Sequence, residues 1–362
     1  VRIIGGILKA IISVAMIGAV IVAGFFIFTQ MSPLVASTGR CAGTGSGPVV
    51  FVVKPGETVS QVADGLEQAC IINNSLTFRL RVQVTGTGDK FQAGSFTLTP
   101  GSDYDTIIKV LTTTHPVAST TITVIEGLRL EEVANYLAGQ HVVDATSFLS
   151  KTTTPEDAAV YSDTFLAQSG KPADKGLEGF LFPDTYDIAR HSDDDSDTVI
   201  KTMLHQMEAK FTPDMLAAIP KRQIDGQPAN VYQILTLASI IQREGVVPDE
   251  LPIISSVYWN RIAQGTVLNA DPTSQYANGK DGAWWPVLTT DMVHIKSPYN
   301  TYDNRGLPPG PICNPGLLAI QAAIAPADTK YLYFVAKNDG SGTHAFATTL
   351  EEQTQNIAKY QK

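Results

Sequence analysis

The sequence predicts an α+β fold in three parts: an N-terminal transmembrane helix, a small βααβ subdomain, and a larger mixed α+β domain. Three observations carry that division. A long uncharged run opens the chain, a strand–turn–helix pattern then recurs around a glycine, and an amphipathic helix is followed by proline- and glycine-rich loops full of amides and aromatic rings. With 44% hydrophobic and 17% charged residues over a length of 362, the chain can bury a sizeable core, which excludes wholesale disorder. At roughly 100–200 residues per domain, that length fits two or three domains. Asp+Glu outnumber Lys+Arg by 35 to 26, a net charge of −9, and no basic block interrupts the body. Such a surface repels phosphate backbones, so no nucleic-acid partner is expected. The three cysteines, Cys41, Cys70 and Cys313, lie far apart and the six histidines are scattered. This gives no metal-ligand spacing, and neither a metal nor a cofactor is expected.

Residues 10–28 carry no charge and only Ser13 is polar. At about 1.5 Å rise per residue the run nearly spans a ~30 Å hydrocarbon core, and residues 3–8 and 31–35 can extend it. A cleaved signal peptide is the alternative, with Val35-Ala36-Ser37 as its end, but the apolar run is long for one. Arg2 and Lys9 both precede the span, which places the N-terminus in the cytoplasm and the remainder outside. The sequence therefore predicts an N-terminus and anchor at 1–36 and a Gly/Ser-rich linker at 37–48. A Cys41–Cys70 disulfide is permitted in that compartment, as are two reduced thiols.

Beyond the linker, residues 50–53 read as a strand, Pro55-Gly56 as a turn and 58–66 as a helix. Thr58 and Gln61 have capping-box spacing, while Val59, Val62, Ala63 and Leu66 form one apolar stripe. The pattern returns with Gly101 followed by Ile107, Ile108 and Leu111, and again with Gly127 followed by Val133, Ala134 and Leu137. Glycine suits that slot because a tight strand-to-helix turn favours positive φ. Lys54-Pro55-Gly56-Glu57-Thr58-Val59 with Val62-Ala63 resembles a LysM module, a small βααβ glycan-binding fold. A generic strand–turn–helix unit is the alternative, and no aromatic platform lies near the first unit. The reading divides the remainder into a LysM-like subdomain with strand–turn–helix repeats at 49–140, a helical connector at 141–175 and a final domain at 176–362. The acidic run around Asp194 and Asp195 reads as a solvated turn ahead of a helix, where negative charge suits the positive end of the dipole.

The chemistry centres on Glu244. Ile234, Leu237, Ala238 and Ile241 recur at helical spacing, and at about 100° per residue Glu244 falls at the edge of their stripe while Arg243 points away. Gly245 reads as the residue that follows the helix, with Pro248 shortly beyond. Partial burial and the negative end of the helix dipole both disfavour the carboxylate, so both raise its pKa. A raised pKa is what a carboxylic acid needs to deliver a proton near neutrality. The alternative is a helix-terminal glutamate paired with Arg261.

Around that helix stand Leu177-Glu178-Gly179-Phe180-Leu181-Phe182-Pro183-Asp184, Tyr258-Trp259-Asn260-Arg261, Leu268-Asn269-Ala270-Asp271-Pro272-Thr273, Ser297-Pro298-Tyr299-Asn300-Thr301-Tyr302 and Asn314-Pro315-Gly316. This series resembles the membrane-anchored endolytic murein transglycosylases, the MltG or YceG-like family, over essentially the whole chain. The resemblance implies an endolytic peptidoglycan lyase of the bacterial inner membrane. It would be single-pass, with a cytoplasmic N-terminus and a periplasmic catalytic domain, working on nascent glycan strands and associated with peptidoglycan synthases. By that resemblance it would cleave the β-1,4 bond from N-acetylmuramic acid to N-acetylglucosamine, leave 1,6-anhydromuramic ends and so terminate strand elongation. By position the family's catalytic glutamate falls on Glu244. Two departures stand out: Gln242 where the family often carries a second glutamate, and Asn269 where it often carries glutamine.

Ser239, Asn260, Asp271, Thr273, Tyr276, Asn300 and Tyr302 are the expected substrate-binding residues, holding N-acetyl or hydroxyl groups and steadying Glu244. Trp284-Trp285 fits either a sugar platform or a hydrophobic plug, and Glu178 either a site or a structural role. Two other functions compete: a hydrolytic muramidase in which Asp271 assists water, and a non-catalytic, membrane-anchored scaffold that binds peptidoglycan.

Overall fold

The computed structural model describes residues 47–113, 119–161, 164–190 and 194–361. The expected membrane span, Cys41 with its pairing to Cys70, and nearly all of the linker lie outside these residues. Among the described residues no helix is long and apolar enough to cross a membrane. The fold is α+β, with helices predominating and strands confined to two-stranded sheets. The described residues divide into two units, with the boundary between Ser119 and Thr120.

In the first unit the order is β1 (Val49–Val53), α1 (Val59–Gln68), α2 (Ser75–Thr85), β2 (Gly94–Leu98) and α3 (Tyr104–Thr113). β1 and β2 pair antiparallel, with Val49 opposite Leu98 and Phe51 opposite Phe96. The capping box closes as its spacing predicts: the Gln61 N–H donates to Thr58 Oγ1 at 3.3 Å, and the Thr58 N–H donates to Gln61 Oε1 at 2.8 Å. Val62, Ala63 and Leu66 are fully buried against Phe78, Phe96 and Leu111 in a core of their own.

The third strand–turn–helix pattern is built like the first two but lies in the second unit. β3 (Ser119–Thr123) pairs with β4 (Thr185–Ala189) rather than with β1 or β2, and α4 (Leu130–Gly139) buries Leu130, Val133, Ala134 and Leu137. Likeness of local sequence specifies the turn, not the strand's partner. Gly56, Gly101 and Gly127 share φ of +83°, +78° and +82°, a region where a Cβ would strain the backbone. Short helices follow, including α5 (Ala145–Thr153). Asp195 then precedes α6 (Ser196–Lys210), paired with Arg190, while Asp197 bonds to Lys151 and Tyr161.

At the centre runs α7 (Val231–Glu244), started by an Asn230–Gln233 capping box. The periodicity predicts one apolar stripe, yet Leu235, Thr236, Ser239 and Ile240 are buried as well as Ile234, Leu237, Ala238 and Ile241. Neighbouring elements engulf the helix on all sides, which is why its hydrophobicity spreads around the circumference. Those neighbours are α8 (Leu251–Ala263), α9 (Asp271–Asn278) and α10 (Leu317–Ile324). An antiparallel hairpin, β5 (Tyr333–Ala336) with β6 (His344–Ala347), and α11 (Leu350–Tyr360) complete the unit.

Candidate active site

Glu244 is the last residue of α7 and is half-buried. Gly245 follows it in an extended conformation, φ −112°, so its lack of a side chain serves space rather than a left-handed turn. A Cβ there would come within 2.8 Å of both Leu251 and Ile254 on α8. That close approach brings α8 against the end of α7, and the Tyr258 hydroxyl on α8 donates to Glu244 Oε1 at 2.6 Å. Burial pushes the Glu244 carboxyl up to about 7 and nearby Asp271 adds to the rise, while the hydrogen bond from Tyr258 pulls the other way. The salt-bridge alternative is absent. The Arg261 guanidinium is spent on the carbonyls of Val267, Leu268 and Leu332, at 3.1, 2.9 and 2.6 Å.

Of the expected substrate-binding residues, Asp271 and Tyr302 stand with Glu244. Asp271 opens α9, is exposed, and accepts a hydrogen bond from the Tyr302 hydroxyl at 2.5 Å. Burial and the Asp271 carboxylate together hold the Tyr302 phenol well above its usual pKa. Tyr276 lies further along the same helix, its ring 4.9 Å from that of Tyr299 and 4.1 Å from the Arg129 guanidinium.

Ser239, Thr273 and Asn300 are fully buried and act on the protein itself. Ser239 Oγ donates to the Thr236 carbonyl at 2.7 Å and accepts the Ile312 N–H at 3.0 Å, tying the proline-rich loop to α7. Thr273 shares a 2.9 Å hydroxyl contact with Thr301, and Asn300 donates to the Ile295 carbonyl and to Asp303. Asn260 is half-buried and spends its amide hydrogens on the carbonyls of Thr329 and Tyr331, at 3.0 and 2.9 Å. These four hold the walls around Glu244 in place.

Both departures from the family pattern have local reasons. Gln242 Oε1 accepts the Gly316 N–H at 2.9 Å, anchoring the start of α10. Asn269 sits at φ +51°, a left-handed conformation that asparagine tolerates better than glutamine. The two tryptophans are clamped. Arg243 lies 3.9 Å from the Trp285 ring centre, Trp285 Nε1 donates to Glu132 at 2.8 Å, and Arg129 lies 4.7 Å from Trp284.

Tyr258 lies in the Tyr258-Trp259-Asn260-Arg261 run, yet nothing in that run marks it as a site residue, because its contact with Glu244 crosses from one helix to the next. Glu178 is a second perturbed acid. Burial pushes it up to about 8 with help from Glu131, against the Leu130 N–H and Arg129. Its Oε2 accepts that N–H at 3.2 Å and its Oε1 faces the Asn314 amide at 3.5 Å. Among the described residues no group of three His, Cys, Asp or Glu side chains is placed to share a metal ion.

The gathered residues can do one kind of chemistry well: hold a proton on a carboxyl near neutrality, close to the exposed Asp271 and the Tyr302 hydroxyl bonded to it. Comparison with known proteins points the same way. An endolytic murein transglycosylase of Bacillus subtilis is 33% identical over 317 residues, 85% of this chain and 83% of that protein. One from Streptococcus pneumoniae R6 is 28% identical over 331 residues, and the chain spans only 58% of its length. A crystal structure of a yceG-like protein from Listeria monocytogenes superposes with a TM-score of 0.56 at 29% identity, covering 86% of this chain and 99% of that one. Residues 51–359 match the model of the YceG-like family, a span that includes Glu244, Tyr258, Asp271 and Tyr302, and the chain belongs to that family.

Proposed function

We propose that this chain is an endolytic murein transglycosylase in which Glu244 alone serves as general acid and then general base. The observation that carries the reading is a half-buried glutamate, raised to about 7, with one oxygen held by Tyr258 and no cation paired to it among the described residues. Protonated Glu244 donates to the glycosidic oxygen as the bond from muramic acid C1 breaks and an oxocarbenium-like centre develops. The carboxylate then takes the proton of the same sugar's 6-hydroxyl as that oxygen bonds to C1 and closes the 1,6-anhydro ring. The acid is regenerated and no water is consumed. One carboxyl suffices because the nucleophile is already attached to the substrate, at high effective concentration. An ordinary glycosidase needs a second carboxylate to activate water or capture the sugar.

The wider setting belongs to the same proposal. The uncharged run at 10–28 with Arg2 and Lys9 before it supports a single-pass anchor in the inner membrane and a periplasmic catalytic domain. The strand–helix–helix–strand order of the first unit supports the LysM-like reading. Peptidoglycan synthases, the source of nascent strands, are the partners this reading expects.

Digestion of purified glycan strands, with the products weighed, tests the reaction. Ends lighter by one water than ordinary reducing ends are expected, and hydrolysed ends would replace this reading with a muramidase. Glu244→Gln should lower cleavage roughly 10²–10⁴-fold while retaining binding to the sacculus. Unchanged cleavage would remove Glu244 from its role, and wild-type binding without cleavage would favour the scaffold.

A further inference from the structure

A protonated carboxyl is asymmetric: one oxygen carries the hydrogen and the other only accepts. Tyr258 is 1% exposed, and the one hydrogen-bond partner of its hydroxyl among the described residues is Glu244 Oε1, at 2.6 Å. If Oε1 carried the proton and gave it to the phenol, the phenol's own hydrogen would be buried without an acceptor, a costly arrangement. Donation from Tyr258 to Oε1 leaves nothing orphaned. Oε2 has no partner among the described residues, and it is not among the buried, unpartnered side-chain atoms. It is the open oxygen.

We propose that Tyr258 is a positioning residue that assigns the acid proton to Oε2 of Glu244, the oxygen open to substrate, and keeps Oε1 as the carbonyl. The inference rests on Glu244 being the proton donor. The same contact serves the second half of the reaction: once the proton has left, the phenol donates to a carboxylate and steadies it until the 6-hydroxyl proton returns to Oε2. The fold holds the phenol in place. Its ring meets Phe334 edge to face at 6.0 Å, and Phe334 meets His344 at 5.4 Å. His344 Nδ1 in turn lies 2.8 Å from Glu250.

The ionisable groups around the pair are few. α8 contributes Tyr258 and Arg261, the latter committed to three carbonyls. α9 contributes Asp271, the loop after Ser297 contributes Tyr302, and β5 contributes Tyr333, whose ring stacks on Arg261 at 5.0 Å. α10 has no ionisable side chain. On α7, Arg243 turns to Trp285.

Infrared titration of the intact protein tests the assignment. Subtracting Glu244→Gln from wild type isolates the carboxyl band of Glu244. In Tyr258→Phe, isolated against the double variant, the carbonyl stretch should move to higher frequency because Oε1 has lost its donor, and its titration midpoint should move to higher pH. A fluorinated tyrosine at 258, a stronger donor, should move both in the opposite direction, so the test survives if the phenylalanine variant does not fold. With glycan as substrate, Tyr258→Phe should lower kcat roughly 10- to 100-fold with little change in KM. An unmoved band and midpoint in both variants would overturn the proposal, whether or not the protein cleaves glycan. Moved bands in a protein that never cleaves would leave the proton assignment standing and overturn the function instead.

Discussion

A carboxylic acid donates a proton near neutrality only where its charge is costly, and both Glu244 and Glu178 meet that condition, at about 7 and about 8. What separates them is the second oxygen. Leu130 and Asn314 face the two oxygens of Glu178, whereas Tyr258 takes only one of Glu244. Glu178 therefore fits the frame and Glu244 the reaction. Asp271 helps to keep Glu244 protonated by like-charge repulsion, so Asp271→Asn should lower the Glu244 pKa. The alkaline limb of the pH–rate profile, where the acid form is lost, should then move to lower pH. That is opposite in sign to the effect of Tyr258→Phe, and profiles of both variants beside wild type check it. Helical phase alone placed Glu244 at the edge of a buried stripe. Phase carries no information about Tyr258, 14 residues on and in the next helix.

Helix α7 does more than carry Glu244; it is the post to which the surrounding loops are tied. Ser239 joins it to Ile312, and Gln242 joins it to Gly316. Ser239→Ala would leave the buried Ile312 N–H without its acceptor, a cost of about 1–3 kcal/mol. Urea or thermal unfolding should show that loss of stability, and glycan KM measured on the folded variant should stay near wild type. The same element explains why the amide-rich loops read as sugar contacts. An asparagine or serine in a sequence shows its donors but not whether a backbone carbonyl has already taken them. Asn260 and Asn300 are spoken for, while Tyr302 bonds to Asp271, whose carboxylate is exposed. The tryptophan pair follows the same logic, because Arg129 and Arg243 bind the indoles to the protein rather than leaving both faces bare.

For the whole molecule the two raised acids have a consequence for stability. Both titrate above the ordinary 4.5 when folded, so between 4.5 and about 7 or 8 the native state keeps protons the unfolded chain has released. Stability therefore falls as pH rises through that window, at a limiting slope of about 1.4 kcal/mol per pH unit for each group. Glu178→Gln keeps an acceptor for the Leu130 N–H and removes one titration. Its Tm should fall less than that of wild type between about pH 5 and pH 8, as parallel thermal melts would show. The sequence by itself determined the local events: the capping box at Thr58, the positive φ at Gly56, Gly101 and Gly127, the helix ending at Glu244, and that glutamate's lean toward the core. Each depends on neighbours within one or two turns, which a linear pattern records. Only the tertiary structure decided that the third strand–turn–helix joins the second unit, that α7 is enclosed all round, and that Tyr258 rather than Arg261 meets the acid. Those outcomes depend on which distant segments compete for the same donors and the same apolar surface, and that competition is settled in space rather than along the chain.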